Sequence, residues 1–167
     1  MTRWQPCVLL LSVLLLPQLA PAGSGSLGVG VHYNKEVRAF DDQQWDKHGL
    51  SWLVSYQSGL ASALRLELDL EIVPKSLTGG EEAAYIPQAF LLVGQELYMG
   101  LGVGSVYFND GDVWRHDLRY DLRMGFVLPL GGPQLDVSMN YIFTEFAEID
   151  HFKFGDTELM AILRFSL

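Results

Sequence analysis

Beyond residue 22 this chain of 167 residues has no cysteine, and its single one, Cys7, lies just before the apolar stretch "VLLLSVLLL". Neither disulfides nor a cysteine-based metal site can therefore hold the body of the chain together. After that stretch no apolar run is long enough for a transmembrane helix, which excludes a polytopic helical protein. A membrane barrel is not excluded, because its strands hide their hydrophobicity in alternation. Basic residues are few: 11 Lys and Arg stand against 20 Asp and Glu, for a formal charge of −9. That balance argues against nucleic acid as a partner. The helical period of 3.6 is nearly absent from residue 26 onward.

The N-terminus reads as a secretory signal. Arg3 supplies the positive region, "VLLLSVLLL" the apolar core, and "LAPA" with Ala20 and Ala22 a small-residue cleavage site. Residues 1–22 are thus expected to be a signal peptide and residues 23–167 a single β-barrel domain, with Cys7 lost on cleavage. The mature chain would carry a formal charge of −10, since residues 1–22 contain Arg3 and no acid.

What the mature chain does contain is alternation. Eight runs of period 2 follow one another. They are "LGVGVHY", "LSWLVSYQ", "LASALRLELDLEI", "AYIPQAFLLV", "LYMGLGVGSVYF", "WRHDLRYDLRMGF", "LDVSMNYIF" and "TELMAILRFSL". The fourth is the least regular, and Pro87 in it cannot donate to a ladder. Short connections are expected at Gln57–Gly59, Gly94–Glu96, Leu130–Pro133 and the tight "NDGD" (Asn109–Asp112). Longer polar ones intervene. Most runs have the ~9–11 residues that a tilted membrane-spanning strand needs.

Eight strands in about 145 residues fit either a soluble up-and-down barrel or a membrane barrel, which point their faces in opposite directions. The cations decide between them. Lys35, Lys47, Lys75 and Lys153 all fall in the longer connections, whereas the strand cations are Arg65, Arg115, Arg119, Arg123 and Arg164. A confined interior favours the planar guanidinium fork, which bonds carboxylates in two places. Glu67, Asp69, Glu71, Asp117, Asp121, Asp136 and Glu158 supply the acids, so a lumen filled by an ion network is expected. Gly100, Gly102 and Gly104 share one face and leave space for long arginines. Aromatics gather at both ends of the apolar face. Tyr33, Trp52, Tyr85, Tyr107, Trp114 and Phe143 lie toward the long connections, with Tyr56, Phe126 and Phe165 toward the short ones. Two such girdles fit a bilayer.

The signal peptide, the eight strands, the "GLGVG" strand and the ending "LMAILRFSL" together resemble the small outer-membrane barrels of Gram-negative bacteria, the OmpA/OmpX type. The resemblance covers the whole mature chain, but its motifs are patterns rather than fixed residues. It implies an all-β, eight-stranded antiparallel up-and-down transmembrane barrel, monomeric, in the outer membrane, with both termini in the periplasm. Such barrels are inserted by the barrel-assembly machinery, which reads alternating apolar residues and a terminal aromatic on the last strand. Here the aromatic is Phe165 and the last residue is Leu167, a departure that bears on the assembly signal.

Some relatives of that type act on lipid A. The deacylase among them uses a His and a Ser two apart on a lipid-facing strand; the equivalent "LDVSMNYIF" has no histidine, and His116 with Ser105 is the nearest substitute. No third group orients that pair. The favoured expectation is a structural or surface-interaction role with no enzymatic activity and no cofactor or metal. A lipid A hydrolase and a narrow small-solute channel are the alternatives. Expected partners are outer-membrane lipid and lipopolysaccharide, the barrel-assembly machinery, and an extracellular ligand reached through the loops.

Overall fold

The computed structural model describes residues 25–35, 37–40, 43–45, 48–78, 82–110 and 113–167, so the expected signal peptide lies outside the described residues. Ten strands follow in chain order: β1 (Gly25–Asn34), β2 (Val37–Phe40), β3 (Gln43–Trp45), β4 (Gly49–Ala61), β5 (Leu64–Val73), β6 (Ala84–Gly94), β7 (Leu97–Asp110), β8 (Val113–Pro129), β9 (Gln134–Phe143) and β10 (Glu158–Ser166). Eight of them close into an all-antiparallel barrel in the order β1-β10-β9-β8-β7-β6-β5-β4, with β4 back on β1. Closure leaves no free edge within the ring. The small hairpin β2–β3 belongs to the first long connection, which the alternation pattern did not resolve.

The strands form where the sequence alternates because each carries one apolar and one polar row, and only a pleat separates them. β5 shows this most clearly, with Glu67, Asp69 and Glu71 buried inward and Leu66, Leu68 and Leu70 outward. β6 departs from it because its inward row is Ala84, Ile86, Gln88, Phe90 and Leu92, apolar except for one amide. Pro87 stays in the wall. Its pairing to β7 is interrupted there, since the ladder runs from Tyr85↔Tyr107 directly to Gln88↔Gly104.

One expected turn is displaced. β4 continues through Gln57–Gly59 and turns at Ser62 and Ala63, with a register shift between Gly59 and Ala61. Those polar residues do not mark a turn, because Gln57 faces the lumen and bonds there. The other short ends fall where expected, around residues 95–96 and 130–133. Gly25, the first described residue, and Leu167 lie at that same end, where the Leu167 amide donates to the Gly25 carbonyl (3.0 Å).

The wall is uneven at the opposite end. β9 stops at Phe143, paired with Tyr120, while β7 and β8 pair onward to Asp110↔Val113. The β7–β8 hairpin therefore projects seven residues, roughly 20 Å along the strand, beyond the β9 rim. Inside, apolar clusters sit toward both ends of the lumen. Val73, Leu77, Ala84, Ile86, Val106 and Phe108 pack near the long connections, with Leu77 brought in by a helical turn at Lys75–Thr78. Phe90, Leu92 and Tyr98, with Val127 against them, pack toward the short turns.

Candidate functional site

Charge occupies the middle of the barrel. Glu67 and Glu71 sit four residues apart on β5, about 13 Å along the strand, and each gathers donors from across the lumen. Glu67 accepts from Arg123 Nη1 (2.5 Å), Arg164 Nη2 (2.5 Å) and the Gln57 amide (2.7 Å). Glu71 accepts from Arg119 Nη2 (3.0 Å), the Gln88 amide (3.0 Å) and Ser51 Oγ. The two ring nitrogens of His32 lie 3.0 Å from Glu71 and 3.2 Å from Glu158.

Each guanidinium uses its fork. Arg123 also reaches Asp69 (3.1 Å) and donates from Nε to Asn140 (3.0 Å). Arg164 donates from Nε to Asp136 (2.9 Å) and from Nη1 to Ser55 (2.9 Å). Tyr98 donates its hydroxyl to the other oxygen of Asp136 (2.5 Å). Arg119 Nε approaches Asp121 at 3.5 Å, and neither Asp121 oxygen has a hydrogen bond among the described residues. These pairs span β5, β8, β9 and β10, with side chains essentially withdrawn from solvent.

Two of the charged residues expected in this network lie elsewhere. Arg65 is only partly buried and sits near the short turns, over the Tyr98 ring (4.8 Å) and 3.5 Å from the Gln57 amide oxygen, not against a carboxylate. Its position on β5, one step below Glu67, puts it at the lumen mouth. Asp117 is likewise partly buried, on the projecting hairpin, and accepts from the Leu118 amide (2.8 Å). The Arg115 side chain lies outside the described residues. Buried charge among the described residues is therefore Arg119, Arg123, Arg164 and His32 against Glu67, Asp69, Glu71, Asp121, Asp136 and Glu158, which leaves the interior acidic.

The glycines act differently from expectation. Gly100, Gly102 and Gly104 face Arg123, Asp121 and Arg119 across the β7–β8 ladder. Their missing side chains, however, make room first for β6: a Cβ on Gly102 would run into the Phe90 ring, and one on Gly100 into Leu92. Phe90 leans into that gap, and Arg123 then lies on it. Gln57, Gln88, Ser51, Ser55, Asn140 and Phe90 complete the network, and none had been assigned to it from the sequence. Inward alternation was the available signal for Ser51, Ser55 and Asn140.

Outside, polarity is reversed. Leu27, Val29, Val54, Leu91, Val93, Met99, Leu101 and Met124 are each between 45% and 59% exposed. Tyr33, Trp52 and Tyr85 stand exposed toward one end, Phe126 and Phe165 toward the other. Phe143 does not stand with them. It points outward by alternation yet is fully buried, covered by the connection that follows it. The Trp114 side chain lies outside the described residues. Charged side chains inside and a bare apolar belt outside are the reverse of a soluble barrel.

The wall presents its apolar row outward all along the described strands. Solved structures with a similar fold include two crystal structures of Ail, the attachment invasion locus protein of Yersinia pestis, one of them in complex with the heparin analogue sucrose octasulfate. Each is 16% identical and covers 86% of this chain and 97% of that one, with TM-scores of 0.40 and 0.39. No protein-family model matches the sequence, and no curated protein matches it.

The Ser105–His116 pair is not assembled. Both point outward, but Ser105 pairs with Leu118 and His116 with Tyr107. The His116 ring stacks on Tyr107, with centroids 6.2 Å apart, and no hydrogen bond joins it to Ser105 among the described residues. Nor do the described residues hold a group of three His, Cys, Asp or Glu side chains suited to a metal ion.

Proposed function

We propose that this chain is an outer-membrane barrel of a Gram-negative envelope, with both termini periplasmic, whose role is structural or surface-interactive. One observation carries the reading: an exposed apolar belt encloses a core of buried Arg–carboxylate pairs. The ion network serves as filling that stiffens the wall, and the apolar clusters above and below it oppose an open channel. The long connections then face outside.

Those connections have a definite electrostatic character. Segments 35–48, 74–83, 110–112 and 144–157 hold twelve Asp and Glu against five Lys and Arg. The complexed Ail structure holds a polyanion; here an excess of seven negative charges would repel one. A neutral or cationic surface suits this chain better. The partner's identity lies in loop chemistry, which fold does not carry.

Expression of the full chain in a Gram-negative host tests the reading. The barrel should fractionate with outer membranes and migrate differently on a gel when left unboiled. A soluble product with heat-insensitive migration would overturn it.

A further inference from the structure

At the level of Met139 the outward wall is bare on both sides: Leu159 on β10 is 54% exposed and Met124 on β8 55%, and alternation carries the same outward row of β9 on to Tyr141 and Phe143. Instead Tyr141 and Phe143 are buried. Their cover is the connection 144–157, which folds back over the outside of the barrel. Phe146 meets Phe143 edge-on at 5.6 Å and Tyr120 at 4.7 Å. Phe152 meets Tyr141 edge-on at 4.8 Å, and Phe154 lies against Phe152 at 5.3 Å.

This cover does not shield its own rings. Phe146 is 59% exposed and Phe154 74%. A connection destined for water would turn such rings inward, so these share the medium of the apolar belt. Beside Phe146 lies a cleft of about 310 Å³, walled by Tyr120 and Phe146 and bounded by Leu91, Leu101 and Val103. Ala89 forms its floor, the smallest side chain in the paired row Leu68–Ala89–Val103–Tyr120. No charged side chain lines it.

We propose that this cleft seats one acyl chain of an outer-leaflet lipid between Ala89 and Phe146, with segment 144–157 as the clamp. The assignment rests on the membrane-spanning reading. The cleft is continuous with the lipid-facing belt, so acyl chains are the groups present at highest concentration there. A second protein chain gains little from apolar surface in this medium, because lipid tails are equally apolar. The lining also offers no charged group to orient a peptide.

The test uses the full chain, expressed in a Gram-negative host and extracted in mild detergent, with retained lipid read by native mass spectrometry. Wild type should hold one lipid through detergent exchange. Ala89→Phe, which fills the cleft, and Phe146→Ala, which opens it, should each lower occupancy about tenfold. Val54→Phe, an exposed wall position away from the cleft, should leave occupancy unchanged. Unboiled gel mobility reports folding of each variant. A phospholipid with a photoreactive tail, incorporated into vesicles with the wild-type barrel, gives a readout that needs no variant. Crosslinks should concentrate on the peptides containing Ala89 and Phe146. Equal retention in all four proteins, crosslinks spread evenly round the wall, or crosslinks between two copies would overturn the proposal. A chain found in membranes with such results refutes the seat alone; a chain absent from membranes refutes the barrel reading itself.

Discussion

The Arg123 guanidinium carbon lies 3.5 Å from the centre of the Phe90 ring, while its nitrogens reach Glu67, Asp69 and Asn140. Ring face and carboxylates thus hold the same cation from different sides, an arrangement strengthened by removal of water. The ring is placed there because Gly102 has no side chain. One glycine, one phenylalanine and one arginine form a single packed unit across three adjacent strands.

Removing the cation should therefore be costly. Arg123→Ala leaves Asp69 without its guanidinium and Glu67 with one of two, and the expected loss is about 3–5 kcal/mol. Arg123→Lys keeps the charge but loses the fork and the stacking, so it should fall in between. Urea unfolding in lipid vesicles measures both. An alanine variant within experimental error of wild type would show that the pair adds nothing to stability.

Filling the glycine should strain the same unit. Gly102→Leu forces a side chain into the Phe90 ring, with an expected loss of about 1–3 kcal/mol. Phe90→Ala in the same chain should recover part of it, giving a coupling that separate sites would not show. Purely additive losses in a double-mutant cycle would place Gly102 and Phe90 in separate environments.

The covered wall makes a comparison possible between two outward aromatics. Phe143→Ala should cost about 3–5 kcal/mol, because its ring is packed on Phe146 and Tyr120. Trp52→Ala, 63% exposed on the bare wall, should cost less. Equal losses would mean that segment 144–157 does not hold Phe143 in the bilayer-inserted barrel.

A plugged lumen predicts silence in planar bilayers. Wild type should give no steady conductance, and the paired substitutions Leu77→Ala and Phe108→Ala, which thin the upper apolar cluster, should raise leakage. Any current should favour cations, since the described interior holds more carboxylates than cations. Stable single-channel steps from wild type would favour a conducting role over a structural one.

Much of this architecture was legible because a barrel wall repeats one rule. Strand count, facing direction and the confinement of Lys35, Lys75 and Lys153 to connections all follow from period-2 alternation. The displaced turn near Gln57 shows where the rule fails: a lumen-facing polar residue and a turn residue look alike in sequence. β6 failed for the opposite reason, since its inward row is apolar and alternation fades. Arg65 and Asp117 shared the parity of the buried charges but not their depth, and parity carries no information about height along the axis. The cover over Phe143 could not be read at all, because it comes from a connection whose path depends on packing between distant rings.

The reach of the ion pairs along the chain has a consequence for how the barrel comes into being. Arg119 finds Glu71 across 48 residues, Arg123 finds Glu67 across 56, and Arg164 on the final strand finds Glu67 across 97. The hairpins that β5 forms with β4 and with β6 hold no buried cation for Glu67, Asp69 or Glu71. A half-built sheet would carry Glu67 and its neighbours into the bilayer uncompensated, so the nascent chain has no comfortable halfway state there. β10 supplies the last cation of the network, so Glu67 gains its second guanidinium only when the ring closes.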